Sequence, residues 1–400
     1  MDIVIVGAGQ AAASLAARLR VRGHQGGITV IGAEPVAPYQ RPPLSKGYVL
    51  GQMGLDRLML RSPEWWEDQR IVLRLGETAT AIDPARRILT TDQDTVAYDA
   101  LVLTTGARAR RLPAAMGGDL PGVHVIRTLA DVDGLAPRMR PDQRLVVIGG
   151  GYIGLEAAAV ARTLGLAVTV IEAAPRILGR VAAAETADMI RALHHAHGVE
   201  ILEGTGLSHI TGTDRATGVA LTDGREWPAD LIVTGIGVLP DTDLAATAGL
   251  VLDNGIATDA LGRTSDPVIW AAGDCASFPW RGERLRLESV GNAIDMAETV
   301  ADNILGANRG YSPKPWFWSD QFGAKLQIAG LGTGHDRIVT RPGDGQHGGS
   351  VWYFRDGTLI AVDALNDARA YMIGKRLIEA GRSPDPESVA TQTDLKSLLA

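Results

Sequence analysis

The residues best suited to chemistry here are small ones. Gly7-Ala8-Gly9-Gln10-Ala11-Ala12 follows the β-branched run Ile3–Val6, and Gly149-Gly150-Gly151-Tyr152-Ile153-Gly154 follows Leu145–Ile148. Glycine lets a backbone turn tightly and approach a pyrophosphate, whose charge then meets the free N–H groups at a helix N-terminus. Each run is followed by an acid: Glu34 lies just past the apolar run Ile28–Ile31, and Glu172 closes Ala167–Ile171. A carboxylate at that place can accept hydrogen bonds from an adenosine ribose. Gly7 and Gly9, and again Gly149, Gly151 and Gly154, therefore read as two phosphate cradles. Ala12 stands where the first copy would carry its third glycine, and alanine still permits close packing of helix on strand. Two dinucleotides in one chain are an arrangement for moving electrons, which points to a flavoprotein that uses a nicotinamide.

The cradles need strand, turn, helix and second strand in that order. Helices are expected over about 11–22 and up to about 164. Leu101–Gly106 and Val268–Asp274 read as further buried strands. Asp274 is placed either to hold a flavin ribityl or phosphate group or to cap a helix. Beyond residue 308 the pattern changes. Lys325–Leu331, Arg337–Arg341, Ser350–Arg355 and Thr358–Asp363 read as short strands of an antiparallel sheet, followed by a helix over about 367–380. Pro342–Gly349 reads as a hairpin connection or mobile tip.

Composition narrows the function classes. The chain has 400 residues, 46% of them hydrophobic and 21% charged, enough for two or three globular domains at roughly 150 residues each. A net charge of −7 argues against nucleic acid as the main partner. The single cysteine, Cys275, excludes an internal disulfide, a Cys-rich metal site and a two-cysteine redox centre. His194, His195 and His197 precede Gly198 and read as a capped helix end, so no metal is expected. The apolar stretch Leu145–Ala161 is broken by glycines and Glu156, so no membrane span is expected. Met1 runs into a strand without a basic leader, and a cytoplasmic protein is the expectation.

Four segments carry something more specific: Pro38-Tyr39-Gln40-Arg41-Pro42-Pro43-Leu44-Ser45-Lys46, Val147 through Glu156, Gly273-Asp274-Cys275-Ala276, and Pro315-Trp316-Phe317-Trp318-Ser319-Asp320-Gln321. In this order they resemble the FAD-dependent NADH:ferredoxin reductases of bacterial oxygenase systems, a putidaredoxin-reductase-like group with the glutathione-reductase fold. The resemblance implies an α/β fold with two Rossmann-like dinucleotide-binding domains, for FAD and NAD, plus a C-terminal α+β domain. It places the FAD domain at 1–108 and 238–308, the NAD domain at 109–237 and an interface domain at 309–400.

Carried over by resemblance, Ala11, Glu34, Arg41, Lys46, Ala79, Arg127, Asp274 and Val290 match FAD-contacting positions. Trp318 falls near the flavin and the partner surface, although Trp65, Trp66, Trp316 and Trp318 could all be core. Gly149 through Gly154 and Glu172 match the NAD site. Lys46 is implied at the reactive edge of the flavin with Glu156 beside it: a lysine stabilises negative charge on reduced flavin, and the glutamate orients it. Glu172 should favour NADH by repelling a 2′-phosphate, with Arg176 softening the preference.

Gln40–Lys46 holds no cysteine, which discards the disulfide- and peroxide-reducing relatives. Electrons must leave the chain. The resemblance implies an acidic 2Fe–2S ferredoxin as acceptor, feeding a haem monooxygenase or an aromatic-ring dioxygenase, with the reductase a monomer or weak dimer. An acidic partner requires a locally basic docking surface. Arg61 and the rim around Trp318 are the candidates, with Arg309, Lys375 and Arg376 behind them, while Glu298 occupies a position that is basic elsewhere in the family. The rival reading is an NADH oxidase or quinone reductase of the same fold acting on a small acceptor. A signalling flavoprotein of the apoptosis-inducing-factor branch is disfavoured by Pro42-Pro43-Leu44-Ser45-Lys46.

Overall fold

The structure is a computed structural model and describes residues 1–343 and 347–399. Asp344, Gly345 and Gln346 of the expected hairpin tip lie outside the described residues. The chain divides into two units, 1–40 with 54–108 and 238–315, and 41–53 with 109–237 and 316–400.

In the first unit, Ile3–Val6 is buried along its whole length, as an inner strand of a parallel sheet must be. The sheet runs Ile269–Ala271, Ala100–Leu103, Ile3–Val6, Ile28–Gly32, Ile71–Leu75, every pair parallel. Helix Gln10–Val21 turns Ala12, Leu15, Ala16 and Leu19 inward, a one-sided spacing of three and four residues. Arg18 and Arg22 at its end grip Asp302 of helix Val290–Ile304, with N–O distances of 2.7 and 2.8 Å. Arg309 adds a third guanidinium at 3.0 Å. These hydrogen bonds hold the buried Asp302 carboxyl well below the usual carboxylate range.

The second unit repeats the design. Its parallel sheet runs Glu200–Leu202, Ala167–Ile171, Arg144–Ile148, Leu231–Thr234, Val123–His124, with helix Tyr152–Thr163 after the central strand. Both strand pairs around the two cradles fall within a residue or two of the sequence expectation.

Each unit also holds something the sequence analysis did not foresee. The connection from Ile71–Leu75 to Ala100–Leu103 in one, and from Glu200–Leu202 to Leu231–Thr234 in the other, is a three-stranded antiparallel meander: Ala79–Asp83, Ile88–Thr91, Thr95–Ala97 in the first, Leu207–Thr211, Gly218–Leu221, Glu226–Pro228 in the second. Parallel strands of one sheet require a long crossover, usually a helix. Here the connecting strands are three to five residues long, too short to leave a clear period in the sequence.

The C-terminal part of the second unit is a five-stranded antiparallel sheet in the order Trp316–Gln321, Ala324–Gly330, Thr358–Leu365, Gly349–Arg355, Arg337–Pro342. The expected strands are present, and the aromatic motif supplies a fifth at the edge. Helix Ala368–Glu379, capped by Asp367, closes one face over Trp352, Phe354 and Val362. Helix Ala184–Ala196 joins another core with Leu326, Ile328 and Leu365. Among the described residues no helix is long and apolar enough to cross a membrane.

One buried carboxyl sits where helix Ala184–Ala196 meets this sheet. Thr186 Oγ1 donates to Asp363 Oδ2 at 2.7 Å, and the Tyr353 hydroxyl donates to the same oxygen. Ala183 N–H donates to the Tyr353 oxygen at 3.0 Å. Burial pushes Asp363 up to about 6 despite the two donors. The folded protein therefore binds a proton there more tightly than the unfolded chain, and stability falls as pH rises from about 4 through about 6. Asp363→Asn removes this titration. Its stability relative to wild type should rise by up to about 3 kcal/mol between acid and neutral pH. Urea unfolding midpoints at both ends of that window check it; a constant difference between the two proteins would refute the assignment.

Candidate functional site

In the first unit the cradle is built by constraint. Gly7 has φ +101°, and a Cβ there would lie 2.3 Å from the Thr104 carbonyl oxygen. Thr104 Oγ1 donates to the carbonyls of Val6 and Gly7 at 3.0 and 2.8 Å and holds the turn. Gly9 differs: it caps helix Gln10–Val21, no side chain satisfies the first turn, and a Cβ there would meet nothing within 4 Å. Empty space in front of uncapped N–H donors fits a phosphate. Gly273, φ +83°, brings its turn within 3.2 Å of the Ala11 methyl, as judged by the Cβ it lacks, and so sets Asp274 beside the same helix end. Ala12 is fully buried, as close helix–strand packing demands. Glu34 Oε2 accepts the Tyr39 hydroxyl at 2.6 Å. Ala79 opens the meander and Val290 opens the helix capped by Ser289.

The second cradle copies the first. Gly149 has φ +104° with its missing Cβ 2.6 Å from Gly235 O, and Gly154 would place one 2.1 Å from Gly149 O. Gly151 caps helix Tyr152–Thr163, also with no side-chain cap and nothing closer than 4.0 Å. Glu172 does more than wait for a ribose. Its Oε2 accepts from Gly150 N–H and its Oε1 from Ala174 N–H, both at 2.7 Å. The carboxylate thus shapes the glycine turn and keeps lone pairs for a ligand. Arg176 Nη1 is buried with no protein partner.

Lys46 and Glu156 also come together in this unit, though 110 residues apart. Pro42–Ser45 is a single tight helical turn that delivers Ser45 and Lys46 side by side. Glu156, one turn into its helix, keeps only 2% of its side chain exposed. Its Oε2 accepts from Lys46 Nζ at 2.8 Å and Ser45 Oγ at 2.6 Å; its Oε1 accepts from Ser319 Oγ at 2.6 Å. Every partner is a donor. The arrangement is that of an ionised carboxylate beside an ammonium that remains 18% exposed. Arg41, from the same segment, donates to the Arg127 carbonyl at 2.8 Å.

Ser319 and Gln321, to which the sequence analysis gave no role although its quoted motif contains both, join this cluster: Ser319 donates to Glu156 and Gln321 donates to Ser319. Strand alternation turns Trp316 and Trp318 to one face and Ser319 and Gln321 to the other. The two tryptophans stack at 5.3 Å, with Lys375 Nζ 5.4 Å from the Trp316 ring. The histidines need correction in detail. His197 is the helix C-cap, its Nδ1 2.8 Å from Leu193 O, and His195 is exposed. His194 is fully buried and caps nothing; its Nε2 lies 2.6 Å from Gln321 Oε1. Among the described residues no three His, Cys, Asp or Glu side chains are placed to share a metal.

The candidate docking cations differ in availability. Arg61 is exposed and lies 5.2 Å over the Trp65 ring. Arg309 is tied to Asp302, and Glu298 lies 3.9 Å from Arg18 in the same cluster.

A family model described as pyridine nucleotide-disulphide oxidoreductase matches residues 1–297. The chain belongs to this family. A second model, reductase C-terminal, matches residues 316–399. A ferredoxin–NAD(P)(+) reductase of Sphingomonas sp is 42% identical over 100% of this chain and 97% of its own. Rhodocoxin reductase of Rhodococcus erythropolis is also 42% identical, over 100% and 95%. Among solved structures, the reductase in a covalent putidaredoxin reductase–putidaredoxin complex superposes with a TM-score of 0.95 at 38% identity, covering 100% of this chain and 98% of that one. The resemblance drawn from the four motifs therefore holds. This oxidoreductase nevertheless departs from the disulphide chemistry in its family's title. Cys275 is fully buried, its Sγ 3.5 Å from the carbonyls of Leu103 and Ala272, and burial pushes its thiol up.

The two glycines of the first cradle should separate fold from ligand. Gly7→Ala is expected to destabilise by about 2 kcal/mol or more, from positive φ and backbone overlap. Gly9→Asp supplies a favoured N-cap, so the apo protein keeps its melting temperature while the added charge lowers dinucleotide loading about tenfold or more. Equal loss of stability in both variants would show that Gly9 is structural only.

Proposed function

We propose that this chain is an FAD-dependent NADH:ferredoxin oxidoreductase, passing electrons from NADH via FAD to a 2Fe–2S ferredoxin that feeds an oxygenase. The observation that carries this reading is the pairing of a partly exposed Lys46 with the buried Glu156 in a chain whose one cysteine is inaccessible. A charged site of this kind serves a group whose own charge changes, and electrons reaching it have no thiol to rest on. The names of the relatives, a ferredoxin–NAD(P)(+) reductase and a rhodocoxin reductase, support the same acceptor class.

The chemistry that bound FAD would supply is acceptance of a hydride from NADH and release of the two electrons one at a time to an iron–sulfur carrier. The chain's own part is binding and electrostatics. The uncapped N–H groups after Gly9 would receive the FAD pyrophosphate, and those after Gly151 that of NADH. Glu34 and Glu172 would hold the riboses, with Ala11, Ala79, Asp274, Val290, Arg41 and Arg127 as further FAD contacts. Lys46 would offer its ammonium where the flavin becomes negative, Glu156 would hold it there, and Trp318 would shield that edge. We assign FAD binding to 1–108 and 238–308, NAD binding to 109–237 and the interface role to 309–400, and propose the cytoplasm as the place of work.

Two experiments test this. Reduction of a cytochrome should require added 2Fe–2S ferredoxin and fall with rising salt. Arg61→Glu should raise the KM for ferredoxin about fivefold or more and leave NADH-to-ferricyanide turnover unchanged, because that small acceptor needs no docking. Ferredoxin-independent turnover with oxygen or a quinone at the same rate would favour the oxidase or quinone reductase instead. For the coenzyme, NADH should exceed NADPH in kcat/KM. Glu172→Ser should narrow that ratio while raising the KM for NADH, since Glu172 also holds Gly150 and Ala174. Comparable efficiencies in the wild type would overturn the assignment of Glu172.

A further inference from the structure

The donors around Glu156 continue into the protein as a buried line that ends on a histidine. Gln321 Nε2 donates to Ser319 Oγ at 2.9 Å, and Gln321 Oε1 lies 2.6 Å from His194 Nε2. Glu156, Ser319, Gln321 and His194 are all buried. His194 comes from helix Ala184–Ala196, the serine and glutamine from strand Trp316–Gln321, and Glu156 from helix Tyr152–Thr163.

The inventory of donors fixes the direction of this line. A glutamine carbonyl only accepts, so His194 must carry its proton on Nε2. Gln321 then has only its amide hydrogens to turn toward Ser319. With its oxygen accepting from Gln321, Ser319 sends its own hydrogen to Glu156. The opposite polarity puts the histidine proton on Nδ1. That nitrogen is buried with no partner. A bare lone pair there is far cheaper than an orphaned N–H. In the opposite polarity Ser319 would also donate to Gln321, and Glu156 Oε1 would lose its donor.

We propose that His194, acting through Gln321 and Ser319, is a positioning residue that keeps Glu156 ionised and paired with Lys46. The inference rests on the reading above in one respect, that Lys46 serves a bound flavin. Burial pushes the His194 ring down to about 4 against the hydrogen bond to Gln321, and the titratable neighbours His197 and His195 at the same helix end add to the shift. His194 stays neutral through the working range and acts by the direction of one hydrogen bond. Around Glu156 the charged group is Lys46.

Losing a hydrogen bond to a carboxylate raises its proton affinity. Ser319→Ala and His194→Phe should both move the acid limb of the kcat profile up by about one pH unit, without changing the KM for NADH. The same shift should appear in the pH dependence of the bound-FAD midpoint potential, which is read without turnover. His194→Phe keeps a flat ring against Phe322, whose centroid lies 5.1 Å away, and only removes the donor. His194→Gln restores an N–H at nearly the Nε2 position and should return both profiles to wild type. Unchanged profiles in Ser319→Ala and His194→Phe, with ferredoxin reduction intact, would overturn the inference and leave the proposed function standing. If the variants do not fold, or the protein holds no FAD, nitrogen NMR of the wild-type apo protein decides. An Nε2–H tautomer for His194 supports the inference, and an Nδ1–H tautomer overturns it.

Discussion

A carboxylate almost wholly removed from water stays charged only if its surroundings replace the solvent it lost. Glu156, on a helix, meets that condition with an ammonium and a hydroxyl from a tight turn and a second hydroxyl from an edge strand. The requirement reaches beyond the four side chains. Residues 41–53 must lie against helix Tyr152–Thr163, and the strand after Trp318 must run past it with Ser319 facing inward. Packing supplies the rest: Leu155, next to Glu156, is in one core with Leu326 and Leu365 of the C-terminal sheet. Burying one ionised acid thus ties three parts of the chain to one another.

The two dinucleotide cradles show how one motif serves two purposes. Gly7 and Gly149 are glycine because the backbone passes over a carbonyl with positive φ, and a methyl has no room. Gly9 and Gly151 are glycine where the protein itself would tolerate a side chain. Their smallness makes sense only for a ligand that comes up to the helix end. The acids after each second strand have also diverged in use. Glu34 accepts a tyrosine hydroxyl, whereas Glu172 binds two backbone amides and so belongs to the turn it was expected only to face.

Charge is distributed with similar economy. A chain of net −7 gathers Arg18, Arg22 and Arg309 on Asp302, and Glu298 lies beside them. Those cations are committed to joining helices. Arg61 and Lys375 instead lie over indole rings, on Trp65 and Trp316, Lys375 also lying 3.9 Å from Glu379. A cation over an aromatic face keeps its charge toward solvent and toward a partner.

The sequence by itself determined the two strand–glycine–helix–strand units, their central strands almost to the residue, the separate antiparallel C-terminal sheet, and the lack of a cysteine pair. Those features are local: side-chain period, glycine placement and the count of one residue type are readable along a line. Tertiary structure decided which polar residues act together. His194 and Gln321 are 127 positions apart, and Ser319 and Glu156 are 163 apart. Nothing in the spacing of a histidine near a helix end signals whether it will cap that helix, bind a metal or turn inward to orient an amide. The meanders escaped for a related reason, since strands of three to five residues carry too little pattern. Periodicity reports which face of an element is buried; the partner found there depends on how distant elements pack, and hydrogen-bond direction follows only once every donor and acceptor has its place.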